Sequence, residues 1–264
     1  MSHHLLSFAL GAALCGAAAA DAAQCSAVSG ERRVPLLELY TSEGCDSCPP
    51  ADRWLSGLTQ RGFGSDRVVA LAFHVDYWNY IGWTDPFSQK RYSERQRQAA
   101  ARNESRFVYT PQFLLNGRDY RRGIWRDDFA EKVAAVNRDK PRAELRLELK
   151  EAANALTVGG GATVTGATER SQSQAWLALY ENRLANNVTA GENRGKRLEH
   201  DYVVRDIAGP FAVDAQGRTT FEHRFRLDPG WKKQDLGVAA YVQNVRNGDV
   251  LQALALGCPL TGGK

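Results

Sequence analysis

With 264 residues, 43% of them apolar, and a formal charge of +4, the chain has material for two modest domains or one large one. Its basic residues form no run interleaved with base-stacking aromatics, so nucleic acid is not an expected partner. No phosphate-binding Gly-rich loop and no GxSxG elbow occurs, and no cofactor is expected.

Residues 5–20 (LLSFALGAALCGAAAA) are apolar or small and lead into Asp21, Ala22 and Ala23. They fit the apolar region and cleavage site of a secretory signal peptide over residues 1–23, although Ser2, His3 and His4 supply no Lys or Arg. The expected location is therefore periplasmic or secreted, with membrane contact only through this segment before cleavage. No later apolar run is long enough to span a bilayer. Cleavage leaves Cys25, Cys45, Cys48 and Cys258, an even number that suits disulfide pairing in an exported chain. Of the three possible pairings, spacing favours Cys45–Cys48. Cys25 and Cys258 are then expected to clip the two ends together, with two buried free thiols as the alternative.

Residues 34–40 (VPLLELY) have the pattern of a short buried strand. A turn containing Gly44 follows. Residues 50–62 form an expected helix with Trp54, Leu55 and Leu58 on its apolar face and Gly62 as its stop. Residues 67–75 (RVVALAFHV) are a continuous apolar run, suited to a strand covered on both faces. Strand, helix and strand at this spacing make a βαβ unit. An insertion at about 77–105 then interrupts the pattern. It holds the aromatic stretch Tyr77, Trp78 and Trp83, and a helix from Gln89 to Arg102 dense in Arg, Lys and Gln. That helix is expected to present a solvated face, with docking of an acidic partner as the alternative. From Pro111, PQFLLNGRDYRRG is a hairpin turning at Asn116-Gly117. Trp125, Phe129, Val133 and Val136 fall at helical spacing, and Lys140-Pro141 marks the boundary between units at 34–140 and 142–258.

Beyond it, residues 143–150 (AELRLELK) alternate strictly, with Leu145, Leu147 and Leu149 on one face. Residues 218–228 alternate again, through Phe221, His223, Phe225 and Leu227. Four further runs, QAWLALY, DYVVRDI, LGVAAYVQNV and DVLQALAL, complete a set expected to build a β-sandwich, with GGGATVTG as a turn.

The chemistry concentrates in Cys45-Asp46-Ser47-Cys48, between a strand and the start of a helix. Unpaired N–H groups and the positive end of the helix dipole there favour a thiolate on Cys45. Two intervening residues let Cys48 reach Cys45 across one turn, and Pro49-Pro50 enter the helix where a missing N–H does least harm. Cys45, as the exposed sulfur, is expected to exchange with a substrate and Cys48 to resolve the mixed disulfide. Pro111, after Thr110, stands where a cis peptide would lie beside the pair, leaving the Thr110 backbone free to bond an extended peptide. Glu43 and Asp46 flank Cys45, either raising its pKa or standing as solvated loop carboxylates. Two thiolates also suit Cu(I) or Zn(II). His74 either approaches the pair or, as preferred here, ends its strand hydrogen-bonded in a loop. His200 and His223 are read as ordinary sandwich residues, and no metal ligand is assigned.

LELYTSEGCDSCPPAD, FHVDYW and VYTPQFLLNG, with GENRGKRLEHDYVVRDI and VAAYVQNVRNGDVLQAL further on, resemble a bacterial family of secreted thioredoxin-like proteins known as domain of unknown function 1223. The resemblance covers most of the mature chain. It implies an α/β thioredoxin-like N-terminal domain followed by an all-β sandwich-like C-terminal domain. By similarity, Cys45 and Cys48 match the redox pair and Pro111 the cis-proline, while Asp46-Ser47 replaces Gly-Pro. The expected function is thiol–disulfide exchange with protein thiols or disulfides. The alternative is a copper-binding or partner-binding protein without redox catalysis.

Overall fold

The computed structural model describes residues 24–121, 128–152 and 154–257. The leader, Trp125 and Cys258 lie outside them, and with Cys258 the expected terminal clip. In chain order the elements are β1 (Gln24–Val28), β2 (Leu36–Thr41), α1 (Pro49–Ser56), β3 (Val69–His74), α2 (Lys90–Arg102), β4 (Gln112–Leu115), β5 (Arg118–Asp119) and α3 (Phe129–Arg138). Then come β6 (Ala143–Ala152), β7 (Ala155–Val164), the short α4 (Ala167–Arg170), β8 (Ser173–Glu181), β9 (Leu184–Asn187) and β10 (Arg197–His200). The series closes with β11 (Val203–Ala212), β12 (Arg218–Arg226), β13 (Leu236–Asn244) and β14 (Val250–Gly257).

The expected βαβ unit and hairpin both form. β2 and β3 pair in parallel, and all twelve of their residues are buried, as continuous apolar runs require. β4 and β5 turn through Asn116 and Gly117, both at positive φ. Space as well as φ demands the glycine, because a Cβ there would stand 1.9 Å from the Gly248 carbonyl oxygen.

The expected fold class is nevertheless overturned. The chain is mostly β, and among the described residues its largest sheet has eight strands in the mixed order β14-β13-β8-β11-β3-β2-β4-β5. An α/β thioredoxin-like domain followed by an all-β sandwich-like one would have divided these strands. Instead the free edge of β3 is taken by the second half. Val203 pairs with Ala72, and the Ala72 N–H donates to the Tyr202 carbonyl at 2.8 Å. The physical reason is that unpaired strand groups in a buried position must find partners, and β11 supplies them. One apolar core follows the sheet across the join: Leu36, Tyr40, Phe73 and Tyr92 pack with Ala178, Val204, Tyr241 and Val250. Arg33, ahead of β2, ties the two halves at a separate place, pairing with Asp249 at 2.8 Å and donating from Nε to the Val250 carbonyl at 3.1 Å where β14 begins.

A four-stranded sheet, β1-β6-β7-β12, covers part of the large one. Leu145, Leu147 and Leu149 on β6 and Phe221 and Phe225 on β12 meet Leu177, Leu179, Val238 and Val242 of the large sheet. Each fully buried side chain of this kind contributes about 1.5–3 kcal/mol. GGGATVTG is not a turn: Gly159, Gly160 and Gly161 lie inside β7, paired with β6 and β12 on both sides. A Cβ on Gly160 would sit 2.0 Å from the Arg146 carbonyl oxygen, so the glycine answers a close backbone approach.

α2 corrects another expectation. Its polar residues are not simply a solvated face, for Tyr92, Ser93, Arg95, Gln96, Ala99 and Ala100 are buried. Arg95 pairs with buried Glu38 at 2.7 Å and stacks against Phe73, Trp176 and Tyr241. The inward stripe has helical spacing but carries charge and amide, so hydropathy alone does not mark it.

Candidate functional site

Cys45 and Cys48 are joined by a disulfide, with Cα atoms 5.4 Å apart. Cys48 caps α1, its carbonyl accepting from the Ala51 and Asp52 N–H groups at 2.8 and 3.1 Å, and prolines fill the first helical positions. The expected unpaired N–H groups are not free: the first two helical positions are prolines, which have none, and the Ala51 and Asp52 N–H groups are taken by the Cys48 carbonyl, so the positive end of the helix dipole is what remains beside the pair. The Thr110–Pro111 peptide is cis, and Pro111 lines the same groove as Ser47, Pro50 and Ala51. That groove, of about 820 Å³, is walled on its far side by Phe107, Tyr109 and Phe113. Burial, with a hydrogen bond to Asp119, pushes the Tyr109 phenol up to about 12. Trp78 connects the groove wall to the cysteine turn. Its Nε1 donates to Thr110 Oγ1 at 2.7 Å, while its Cβ lies where a side chain on Gly44 would need to be.

One expectation about the pair fails: neither cysteine is exposed. A strap from the second half, residues 188–196 between β9 and β10, is bonded to the same turn. Asn193 Nδ2 donates to the carbonyls of Glu43 and Cys45 at 2.8 and 2.9 Å, and Lys196 Nζ holds the opposite end of that amide at 2.8 Å. Glu192 accepts from the Asp46 N–H at 3.1 Å. Gly191, at positive φ, packs against Ile81 and Trp83 of the insertion. Asp46 and Ser47 remain at the surface.

Glu43 is not a solvated loop carboxylate either. It is fully buried, accepting from Trp83 Nε1 and Asn186 Nδ2 at 2.9 Å each, with His200 Nε2 at 3.1 Å. His200 is thus no ordinary sandwich residue. It ends β10 against the site, its ring 5.0 Å from that of His74 and its Nδ1 3.9 Å from Asp52 Oδ1. Burial opposes charge on His200, but Asp52 and Glu43 hold its pKa up at about 10. His74 fits the preferred reading, a strand-end histidine hydrogen-bonded to a loop. Its Nδ1 lies 2.7 Å from loop residue Asp85, and its ring faces the cluster. Burial would raise the Asp85 pKa, yet His74 and the N–H groups of Glu43 and Phe87 hold it below the usual carboxylate value. Asp52, one helical turn after Cys48, completes the group, with Thr41 Oγ1 donating to its Oδ2 at 3.1 Å. His223 lies elsewhere, against Phe225 on β12.

Sequence reasoning thus placed the cysteines, Thr110 and Pro111 but missed Asp52, Asp85, Asn193 and the role of His200. Asp52 alone left a local signal, an acid on the apolar side of a short helix.

The fold and site define a mostly β protein of mixed sheets, carrying a bonded CxxC pair over a buried histidine–carboxylate cluster. The chain belongs to the family described as protein of unknown function DUF1223, whose model matches residues 36–243. A solved structure from Agrobacterium tumefaciens is 26% identical, with a TM-score of 0.63 over 89% of this chain and 99% of that one. HBP35 of Porphyromonas gingivalis shares the fold at 18% identity, with a TM-score of 0.66 over 87% of this chain and 76% of its own. No curated protein is similar enough to match. Among the described residues, no helix is long and apolar enough to cross a membrane.

Proposed function

We propose that the protein is an exported thiol–disulfide oxidoreductase acting on extended segments of other proteins. The observation that carries this reading is a bonded Cys45–Cys48 pair at a helix start, next to an open apolar groove shared by Ser47, Pro50 and Pro111. Export rests on the apolar leader and on a disulfide suited to an oxidising compartment.

In the reducing direction the Cys45 thiolate attacks a substrate disulfide. The substrate S–S bond breaks, a mixed disulfide forms, and the first substrate sulfur leaves as a thiolate that takes a proton from water. The Cys48 thiolate then attacks Cys45 Sγ. The mixed disulfide breaks, the second substrate thiolate leaves, and two electrons have passed to the substrate. The reverse sequence oxidises a substrate dithiol. The positive end of the α1 dipole favours the thiolate, the groove holds the peptide, and the two buried sulfurs must be uncovered before exchange.

The reduction potential of the pair, measured in glutathione buffers with a Cys45→Ser control, tests this reading. A value between about −280 and −120 mV, lost in the control, fits an exchange catalyst. A value well below about −300 mV marks a structural disulfide and removes the catalytic reading. The complete burial of both sulfurs favours that second reading, in which the groove binds a partner without exchange.

A further inference from the structure

We propose that Asp52, His74 and His200 form a buried site for one divalent transition-metal ion, with zinc as the reference metal. One ligand atom from each lies within 4.8 Å of the other two, and all three side chains are buried. Nitrogen and carboxylate ligands of this kind suit zinc and its first-row neighbours.

Each histidine already has one ring nitrogen engaged by a carboxylate, His74 Nδ1 by Asp85 at 2.7 Å and His200 Nε2 by Glu43 at 3.1 Å. The other nitrogens, His74 Nε2 and His200 Nδ1, are buried without a hydrogen-bond partner. Two such nitrogens in one buried cluster are costly unless something binds them. Carboxylate, then histidine, then open nitrogen is the arrangement by which proteins orient imidazoles toward a metal.

The carboxylates behind the rings are themselves held. Asp85 accepts from the N–H groups of Glu43 and Phe87 at 2.8 and 2.9 Å, and Glu43 accepts from Trp83 and Asn186. On Asp52, Oδ2 is occupied by Thr41 and Oδ1 faces His200 Nδ1 at 3.9 Å. That separation is too long for a hydrogen bond. It lies within about half an ångström of the roughly 3.3 Å edge of a tetrahedron with 2.0–2.1 Å bonds. Three carboxylates, Asp52, Glu43 and Asp85, converge on two imidazoles, an excess of negative charge that a divalent cation offsets. Asp52 and His200 also line a small pocket of about 90 Å³ with Pro49, Arg53 and Leu198, which gives an ion a way in. Three protein ligands leave a fourth position for water.

This site uses no cysteine, and the test keeps it apart from the thiol reading. The mature chain is stripped with a chelator and titrated with zinc sulfate, with the Cys45–Cys48 bond intact and again as a Cys45→Ser/Cys48→Ser variant. The expected result is one zinc per chain in both, with zinc-dependent shifts of the His74 and His200 ring nitrogens in NMR spectra. Asp52→Asn and His200→Gln should abolish stoichiometric binding. Asp85→Asn, which leaves all three ligands, should weaken it about 10- to 100-fold. If the ligand variants do not fold, the ring-nitrogen shifts of the unsubstituted protein decide. Absence of stoichiometric zinc, zinc lost without the cysteines, or zinc that leaves both rings unshifted would each overturn the proposal. The first of these outcomes leaves the oxidoreductase reading untouched.

Discussion

The two flanks of the Cys45–Cys48 turn invert the usual rule of protein surfaces. On one flank Phe107, Tyr109, Pro111 and Phe113 border an open groove, and Phe107 is 61% exposed. On the other, Glu43, Asp52, His74, Asp85, Asn193 and His200 are closed off from solvent. Exposed apolar surface and buried ionisable groups both carry a cost, and folding alone requires neither. Their meeting at one disulfide teaches that a single short turn can separate two opposite environments, an open apolar groove and a closed polar cluster.

The largest effect should come from breaking the closed flank. Glu43→Ala leaves Trp83, Asn186 and His200 without their shared acceptor. It is expected to cost about 3–5 kcal/mol, read as a lower urea midpoint at unchanged slope. A loss under about 1 kcal/mol would show that the cluster contributes little to the folded state. Asn193→Ala removes two hydrogen bonds from the strap to the turn, an expected loss of about 1–3 kcal/mol. The same substitution should speed reduction of Cys45–Cys48 by dithiothreitol several-fold, because it loosens the turn that carries the buried sulfurs. An unchanged rate would mean that access is controlled elsewhere. Cys45→Ser should leave the fold intact by circular dichroism while ending exchange with a disulfide-bonded peptide. Residual exchange would shift the nucleophile to Cys48. The smallest change in stability belongs to the open flank: Phe107→Ser should cost under about 0.5 kcal/mol. It should raise KM for peptide substrates with kcat nearly unchanged, as loss of uniform binding does. A kcat effect alone would remove the groove from substrate binding.

Parts of this were legible along the chain. Asn116-Gly117 announced its hairpin because these two residues readily take the positive φ at both positions that a tight two-residue turn matched to strand twist uses here. The apolar runs of β2 and β3 announced burial on both faces, and CxxC between strand and helix announced the disulfide. The inner stripe of α2 was hidden because its buried residues include an arginine and a glutamine whose partners, Glu38 and Gln112, lie far off in the chain. GGGATVTG was misread because glycine marks a close backbone approach as readily as a turn.

What the sequence determined by itself was local: which segments extend or coil, which faces turn inward, and which two sulfurs can meet. These follow from periodicities of two and 3.6 residues and from a three-residue spacing. Only the tertiary structure decided that β11 would adopt the edge of β3, that β1 would join β6, and that His200 would reach Glu43 across 157 positions. Backbone hydrogen bonds between strands are the same for nearly every residue, so a pattern shows that a strand is buried without showing which strand lies beside it. Buried polar pairs likewise exist only where two distant segments meet, and neither segment carries a mark of the other.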